Sequence, residues 1–189
     1  MTRSLNIFFY LFVLLLVWGC PSPQLVFLER PSSWAQKIDS TSLQNIYKVD
    51  DDLFRSEQPH ALAMAQVEKL GIKTVLNLRR HRNDHAPNTK LVLEHVHINA
   101  FTISYAEVVK SLQVIDRSEK PVLVHCTHGS DRTGCVVAAY RMVECGWTKE
   151  QAIQELMRGG YGYHEKWFPN IVRLLNSIDV EKLKKDVRS

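Results

Sequence analysis

The sequence predicts an α/β domain with a largely parallel sheet. Short apolar runs typical of buried strands alternate with segments of helical periodicity along most of the chain. Two of these runs, Ile72–Leu78 and Pro121–Val124, are compact and rich in branched aliphatic residues, as buried parallel strands are. A helix from about Arg132 to Cys145 follows the second run after a short loop. In such sheets ligands bind at the carboxyl ends of the strands, so the residues after Val124 are the first place to look for a site.

The other elements are predicted from local signals. Short strands at Ile46–Val49 and Leu53–Arg55 flank an acidic turn, and a helix from His60 to Leu70 ends at Gly71. A half-buried strand is predicted around Val96 and Ile98. The capping box Ser104-Tyr105-Ala106-Glu107 opens the next helix. Two more helices complete the domain: one is capped at Thr148 and ends at Gly159-Gly160, and the last lies between Pro169 and Ile178.

Composition limits the classes of function. The 189 residues are 45% hydrophobic and 23% charged, which is typical of a globular protein. The formal net charge is only +4 and forms no long basic run, so a nucleic-acid partner is not expected. A small positive excess does suit an anionic substrate. The length fits one domain, which we expect to be a monomer.

The N-terminus has the form of a targeting segment. Arg3 precedes a nearly unbroken apolar run, Leu5–Trp18, that is shorter than the roughly 20 residues needed to span a bilayer. The run ends at Gly19-Cys20, which resembles the lipobox of bacterial lipoproteins. That resemblance implies cleavage before Cys20, lipidation of Cys20, and an exported domain held at a membrane surface in the periplasm or cell envelope. The alternative is an uncleaved signal anchor, with Cys20 an incidental thiol.

These signals divide the chain into four parts. Residues 1–19 are a predicted signal peptide of the lipoprotein type, and 20–45 a proline-containing tether. Residues 46–178 are the predicted domain, and 179–189 a charged tail.

The most informative segment is His125-Cys126-Thr127-His128-Gly129-Ser130-Asp131-Arg132-Thr133-Gly134. A strand delivers a Cys, five residues form a tight loop, and an Arg opens a helix. A free cysteine is a weak nucleophile because its pKa is about 8.5. The helix N-terminus, the loop N–H groups and the Arg132 guanidinium all favour the thiolate of Cys126.

The same loop has the composition of a phosphate cradle. We expect the N–H groups of residues 127–132 to bind the non-bridging oxygens of a phosphoryl group, with Arg132 as a bidentate clamp. The phosphate-binding residues are therefore Thr127, His128, Gly129, Ser130, Asp131 and Arg132. Thr133 is expected to donate its hydroxyl to the thiolate, and His125 to fix the loop through its backbone.

This segment resembles the Cys-x5-Arg signature of the protein tyrosine phosphatase superfamily. Four further stretches resemble bacterial dual-specificity phosphatases of the exported kind: Trp34-Ala35, Leu53–Pro59, Thr74–Arg79 and Gly159–Gly162. The resemblance implies a compact phosphatase fold with about four or five strands flanked by helices. It also implies a phosphocysteine intermediate without metal or cofactor, and phosphorylated proteins as substrates, with phosphotyrosine first and phosphoserine or phosphothreonine in addition.

The proton donor departs from the family pattern. Such enzymes use an Asp on a loop upstream of the Cys, where this sequence has Glu94, Asn99-Ala100-Phe101-Thr102 and Glu107. Glu107 has a sufficient role in the capping box, and Asp84 reaches the site only if its loop moves. Asp131 is the remaining candidate. Its alternatives are a plain helix cap or a site without an acid.

Several other features have structural interpretations. Cys135 and Cys145 are expected to be buried apolar residues, and the pair His95 and His97 is too weak a signal for a metal site. Arg55, Gln58, Arg79 and Arg80 are expected to be solvated surface residues, with a place at the rim of the pocket as the alternative. Tyr161, Tyr163 and Trp167 are expected to be packing residues, with lining of the pocket mouth as the alternative. Two alternatives to a protein phosphatase stay open: a phosphatase for phosphoinositides or other small phosphate esters, and a phosphate-binding module with little turnover.

Overall fold

The computed structural model describes residues 30–39 and 43–189. The predicted signal segment, the candidate lipidation residue Cys20 and much of the predicted tether therefore lie outside the described residues. Within the described part of the chain, no helix has both the length and the apolar character needed to cross a bilayer.

The described residues form six strands and six helices. The strands are β1 (Gln36–Lys37), β2 (Tyr47–Lys48), β3 (Leu53–Ser56), β4 (Thr74–Asn77), β5 (Val92–His95) and β6 (Val122–His125). The helices are α1 (Ala61–Lys69), α2 (Tyr105–Arg117), α3 (Asp131–Val143), α4 (Lys149–Arg158), α5 (Pro169–Ser177) and α6 (Val180–Val187).

The strands form one sheet in the order β1-β2-β3-β6-β4-β5. The four strands from β3 to β5 are parallel, and the two short strands β2 and β1 continue the sheet antiparallel at one edge. This confirms the predicted α/β class with a mostly parallel central sheet flanked by helices. The sheet has more strands than expected because two-residue β1 joins its edge.

Strand residues alternate between two cores, as the two-residue period of a strand requires. Val122 and Val124 of β6 belong to the larger core, which also contains residues of α2, α3 and α6. Leu123 belongs to the smaller core on the other face, with Met64 and Val67 of α1. The central strand β6 is therefore buried on both faces, which fixes the position of its carboxyl end.

Helix α3 is the central helix, and nearly every one of its residues is buried. It packs against α2, α4, α5 and α6, consistent with a helix that is apolar on all sides. Its one buried cation in the last turn, Arg141, forms an ion pair with buried Glu155 of α4 (2.9 Å). A helix held on all sides keeps the residues of its first turn in fixed positions beside β6.

The strand predicted around Val96 and Ile98 is wrong in position. The strand is β5, Val92–His95, and its first two residues are exposed at the sheet edge. Val96 makes one further bond to the sheet, from its N–H to the carbonyl of Asn77 (3.0 Å). Beyond it the chain leaves the sheet, and Ile98 is buried in the larger core without a strand partner. Alternating burial here reflects core packing of an irregular segment.

Both ends of the domain extend further than the sequence predicted. Residues 179–189 were expected to be a charged tail, but they contain helix α6, with Leu183 and Val187 buried in the larger core. Their spacing, with Val180 before them, gives one apolar stripe among many charges. At the other end, Ala35 is fully buried, so part of the predicted tether belongs to the fold.

Candidate active site

Cys126 lies directly after β6, the strand between β3 and β4. Because all three strands are parallel, their carboxyl ends meet around this residue, which is 1% exposed. Helix α3 begins at Asp131, so Arg132 is its second residue. The predicted strand-loop-helix arrangement is therefore present.

The loop after Cys126 is held by its carbonyl groups, five of which are bound to the surrounding scaffold. Three carbonyls accept hydrogen bonds from distant segments: Thr127 from the Gln58 N–H (3.2 Å), His128 from Asn45 Nδ2 (2.7 Å) and Gly129 from Arg55 Nη2 (2.7 Å). The Cys126 carbonyl faces Nδ1 of the adjacent His125 (3.2 Å). The Ser130 carbonyl accepts from the Gly134 N–H at the start of α3 (3.1 Å). In a planar trans peptide the N–H lies opposite the C=O. Because these carbonyls are bound by other groups, we expect the following N–H groups, those of residues 127–131, to face the centre of the loop, which is the arrangement of an anion nest. We call residues 126–132 the cradle.

Gly129 is required by this loop geometry. Its φ is +71°, in the left-handed region, and a Cβ atom built there would lie 2.4 Å from the carbonyl oxygen of Ser56 at the end of β3. Both the conformation and the close approach exclude a side chain.

Arg132 and Thr133 each have a buried polar atom without a hydrogen-bond partner among the described residues: Nε of Arg132 and Oγ1 of Thr133. The Arg132 guanidinium is oriented by Thr127 Oγ1 (3.2 Å) and by two carbonyl oxygens at the limit of hydrogen bonding, those of Leu78 and Ile98 (both 3.5 Å). An unpaired buried donor is costly unless a ligand or a charged neighbour uses it. A phosphoryl oxygen at Arg132 and a thiolate at Thr133 are the partners that fit.

His125 and Asp84 form a buried pair beneath the cradle. The His125 Nε2 lies 2.7 Å from Asp84 Oδ2, and the two side chains are 0% and 2% exposed. Gln58 Nε2 and Arg79 Nη2 both donate to the other carboxylate oxygen (2.9 and 2.8 Å). Burial pushes the pKa of Asp84 upward, but the hydrogen bonds from His125 and Gln58 and the charges of His125 and Arg79 outweigh it, so the pKa lies below its usual value. Asp84 is thus held as an anion that positions His125, and it has no free proton to donate.

Arg55 was expected to be a solvated surface residue, and this is wrong. Its side chain is 1% exposed, its guanidinium carbon lies 3.6 Å from the ring centroid of Tyr161, and it binds the Gly129 carbonyl. Burial lowers its pKa, opposed by the charges of Tyr161, Glu155 and Cys126. Arg55 is a positioning residue with a charge felt at the thiol. The sequence feature that could have indicated the burial of Arg55 is its place in β3, next to the central strand.

The side chain of Ser130 is used within the fold, whereas the side chain of His128 is exposed. The Ser130 hydroxyl donates to the carbonyl of Tyr161 (2.7 Å), which Asn45 also binds (3.0 Å). Ser130 therefore has only its backbone N–H to offer a phosphate. The His128 side chain is exposed, and its ring centroid lies 5.8 Å from that of His164.

Asp131 contacts His164, a residue that no sequence signal singles out. The His164 backbone N–H lies 3.0 Å from Asp131 Oδ1, and ring atom Nδ1 lies 3.1 Å from Oδ2. Asp131 is the first residue of α3, so its carboxylate also lies in the first turn of that helix. This contact joins the segment after Tyr161 to the cradle.

The other acidic candidates are engaged elsewhere. Glu107 closes the capping box of α2 with Ser104, as predicted, and Glu94 lies in β5 opposite Arg117 (3.8 Å). Asn99 uses its side-chain oxygen to accept from the Phe101 N–H (3.2 Å), which closes the loop between β5 and α2.

A series of ring contacts leads from the exposed Phe101 to His164, which contacts Asp131. Phe101 and Trp167 are 63% and 71% exposed, and the ring of Phe101 contacts that of Phe168 at 4.9 Å. Phe168 is in turn 6.5 Å from the His164 ring, which contacts Asp131. The predicted packing role holds for Tyr161, which is buried, but Trp167 is exposed.

Among the residues that the structure describes, the other cysteines and histidines do not form a second centre. Burial raises the pKa of Cys135 to about 12, as expected for an apolar, unreactive thiol. Cys145 is half-buried, with its sulfur near Arg141 and Asp50 (3.8 and 3.6 Å). In residues 30–39 and 43–189, no group of three or more His, Cys, Asp or Glu side chains is placed to hold a metal ion.

Comparison with known proteins gives the same picture of the fold. The family model "Dual specificity phosphatase, catalytic domain" matches residues 53–175. The chain is 36% identical over 137 residues to the dual specificity protein phosphatase TpbA of Pseudomonas aeruginosa, a match that covers 70% of this chain and 62% of TpbA. A match to the inositol diphosphatase DSP5 of Arabidopsis thaliana is 24% identical and covers 74% of this chain and 72% of that protein.

A crystal structure of P. aeruginosa TpbA superposes with a TM-score of 0.74 at 30% identity, covering 84% of this chain and 99% of that one. A cysteine-to-serine variant of TpbA in complex with phosphotyrosine gives the same TM-score, 0.74. With the family model covering well over half of the sequence, the chain belongs to the dual specificity phosphatase family, and residues 53–175 contain its catalytic domain.

Proposed function

We propose that this protein is a cysteine-dependent phosphatase that hydrolyses phosphate monoesters, and that phosphotyrosine in proteins is its preferred substrate. The observation that carries the proposal is the cradle. Its five bound carbonyls direct the backbone N–H groups inward, around Cys126 and beside the Arg132 guanidinium. The match to TpbA, a dual specificity protein phosphatase with a known phosphotyrosine complex, supports the same activity.

Binding and attack use different groups of the cradle. The N–H groups and the Arg132 fork hold the non-bridging oxygens, which places phosphorus in line with Cys126 Sγ. The thiolate then attacks phosphorus, the bond from phosphorus to the ester oxygen breaks, and that oxygen leaves as an alcohol or phenol after gaining a proton. The product on the enzyme is a phosphocysteine.

The second step releases inorganic phosphate. A water molecule attacks phosphorus, loses a proton to solvent or to a nearby base, and breaks the S–P bond. Cys126 leaves as the thiolate. The Thr133 hydroxyl, buried and otherwise unpaired, donates to that thiolate and makes it a better leaving group. Arg132 holds the same oxygens throughout.

We further propose that the enzyme works without a carboxylic acid as proton donor. Asp131 is already engaged by the backbone N–H and the ring of His164, and Asp84 is buried in its pair with His125. Aryl phosphates, whose leaving groups need little protonation, are then favoured over alkyl phosphates. This ranks phosphotyrosine ahead of phosphoserine and phosphothreonine.

The exposed aromatics support an aryl substrate. Phe101 and Trp167 are exposed, and Phe101 is linked to Asp131 through the rings of Phe168 and His164, so we propose that they contact the ring of a tyrosine substrate. The test is an assay of the mature domain on an aryl phosphate and on a phosphotyrosine peptide, with Cys126→Ser as control. Turnover by the wild type alone supports the proposal. Binding without turnover would instead indicate a phosphate-binding module.

The second candidate is an inositol phosphate or other small phosphate ester as substrate. Its support is the match to an inositol diphosphatase and the open surface around His128. The same assay with an inositol polyphosphate separates the two. If phosphate is released from the inositol compound much faster than from the peptide, the protein-phosphatase proposal is wrong.

We also propose that the protein is an exported, monomeric lipoprotein anchored at Cys20. The support is the apolar run ahead of Gly19-Cys20 in the sequence. Expression in a bacterial host with a labelled fatty acid tests it. Label should appear in the wild type and be lost in Cys20→Ser, and label in both would contradict the proposal.

A further inference from the structure

Asn45 contacts the cradle from a segment that precedes residues 53–175, the part of the chain that the family model matches. Its side-chain Nδ2 donates to the carbonyl of His128 (2.7 Å) and to the carbonyl of Tyr161 (3.0 Å). The NH2 group of an amide has two hydrogens, so each carbonyl accepts one of them. A single side chain therefore joins the cradle to the loop that follows α4.

The backbone of Asn45 is held in a conformation that few residues other than glycine adopt. Its φ is +52°, in the left-handed region, which asparagine tolerates better than most residues. Leu43 and Ile46 on either side are 3% and 2% exposed and belong to the smaller core, which fixes the segment around Asn45. A strained conformation of this kind persists where the surrounding structure requires it, and here it directs the amide to the cradle.

The contact bears on the peptide bond between His128 and Gly129. Rotation of this peptide changes the φ of Gly129, which is +71°. Glycine changes the sign of its φ at little steric cost, so the side-chain contacts that hold other peptides in place are missing at this one. Rotation would point the His128 carbonyl into the cradle in place of the Gly129 N–H. A bound phosphate would then meet the negative end of the peptide dipole.

Within the described residues, no other side chain replaces Asn45 as the donor to this carbonyl. Ser130 Oγ lies 3.3 Å from the His128 carbonyl oxygen but 2.7 Å from that of Tyr161, and a hydroxyl has only one hydrogen to donate. Arg55 binds the carbonyl of Gly129 and so holds the next peptide along the chain. The orientation of the His128–Gly129 peptide therefore depends on Asn45.

We infer that Asn45 is a positioning residue of the phosphatase site, whose amide keeps the His128–Gly129 peptide in the orientation that binds phosphate. The inference rests on the proposed function and deepens it, because it assigns part of the site to the segment ahead of residue 53. Without the amide, the cradle exchanges between a form with the Gly129 N–H inward and a form with the His128 carbonyl inward. Only the first form binds phosphate, so the affinity falls with its population.

The test is the affinity for inorganic phosphate and for tungstate, measured by calorimetry in the Cys126→Ser background so that no turnover is needed. We expect Asn45→Gly to raise both dissociation constants about tenfold, the effect of one lost hydrogen bond. In the enzyme with Cys126 intact, kcat/KM for an aryl phosphate should fall by the same factor. The decrease in kcat should be smaller, because saturating substrate restores the binding form. A purely structural role would not link these quantities.

Asn45→Asp is the second variant. It keeps the size of the side chain and a residue type that tolerates the left-handed conformation, but it places an oxygen opposite both carbonyls. It should weaken anion binding more than Asn45→Gly does. Urea unfolding curves of both variants show that the affinities refer to folded protein.

Asn88→Gly is the matched control, because Asn88 is the other non-glycine residue with a positive φ in the described part of the chain (+59°). It is exposed in the loop before β5. Both substitutions to glycine release the same kind of backbone strain, but only Asn45→Gly removes a donor from the cradle.

The outcomes separate this inference from the proposed function. Weaker anion binding in Asn45→Gly than in Asn88→Gly supports the inference even if the wild type hydrolyses nothing. Equal dissociation constants in the two variants overturn it even if the wild type is an active phosphatase. A fall in kcat/KM with unchanged anion affinity would overturn it as well.

Discussion

Arg55 Nη2 donates a 2.7 Å hydrogen bond to the carbonyl oxygen of Gly129, from the strand beside β6 to the tightest point of the cradle. The donor is fully enclosed, with the Tyr161 ring on one side. A Cβ atom on Gly129 would lie 2.4 Å from the Ser56 carbonyl oxygen at the end of β3, so this bond and that close approach fix the same peptide. The shape of the cradle is therefore set from β3 as well as from β6.

Arg55→Met should disturb this contact without changing any group that touches substrate. The Gly129 carbonyl would lose the hydrogen bond from Arg55, which should lower the free energy of unfolding by about 1–3 kcal/mol. We expect kcat/KM for an aryl phosphate to fall at least tenfold, measured beside a denaturant unfolding curve.

Arg30→Met is the matched control for Arg55→Met. Arg30 also contacts the Tyr161 ring, at 5.2 Å, and donates to its hydroxyl, but it does not reach the cradle. It should lower stability and leave kcat unchanged. If both variants keep full activity, Arg55 has no positioning role.

The Asp84–His125 pair predicts a dependence of stability on pH. The pKa of Asp84 is lower in the folded protein than its ordinary value of about 4. Its carboxylate therefore adds stability above that value, and the contribution is lost as the pH falls through the lowered pKa. Asp84→Asn should reduce the free energy of unfolding at neutral pH and make the decline below about pH 4 less steep, as measured by urea unfolding.

Asp51→Asn is the control for this measurement, because Asp51 forms an exposed pair with Lys48. Its effect should be small, as surface pairs contribute little. An Asp84→Asn curve parallel to that of the wild type across the acid range would show that the pair does not couple stability to pH.

The proposal that no carboxylic acid protonates the leaving group predicts a steep dependence of rate on the leaving group. For a series of substituted aryl phosphates, log kcat should fall as the pKa of the phenol rises. Asp131→Asn should give the same slope, because the amide oxygen still accepts from the His164 N–H. An acid at Asp131 would instead show as a loss of about 100-fold or more in kcat for the poorest leaving groups.

Helix α6 should be part of the stable fold. Leu183 is fully buried between α6 and the larger core. Leu183→Ala should lower the free energy of unfolding by about 2–5 kcal/mol, since it leaves a cavity. Lys185→Ala, on the exposed side of the same helix, should have little effect. A Leu183→Ala variant as stable as Lys185→Ala would mean that residues 179–189 do not pack on the domain.

The sequence was sufficient for the fold class and for the order of its parts, because apolar runs and caps are local signals. The Ser104 and Thr148 capping boxes and the buried run at Val122–Val124 are examples. The sequence was not sufficient where many charged residues surround the few apolar residues that pack on the core. Helix α6 is rich in Lys, Asp and Glu, and only its three aligned apolar residues show that one side is buried.

The site shows the same division. Cys126 and Arg132 lie in one short segment of the sequence, and their spacing identifies the cradle directly. The residues that hold it, Arg55, Asn45 and Asp84, come from distant segments and meet only through the strand order. The contact between His164 and Asp131 spans 33 residues, and nothing local predicts it.

The central claim is that Cys126 becomes phosphorylated during turnover. Rapid acid quench of the enzyme mixed with an excess of aryl phosphate, followed by peptide mapping, measures this directly. We expect a burst of phenol ahead of phosphate release, with a phosphoryl group on the peptide that contains Cys126, and neither in Cys126→Ser. Turnover that persists in Cys126→Ser, or a wild-type enzyme whose phosphoryl group is found on another residue, would contradict the account.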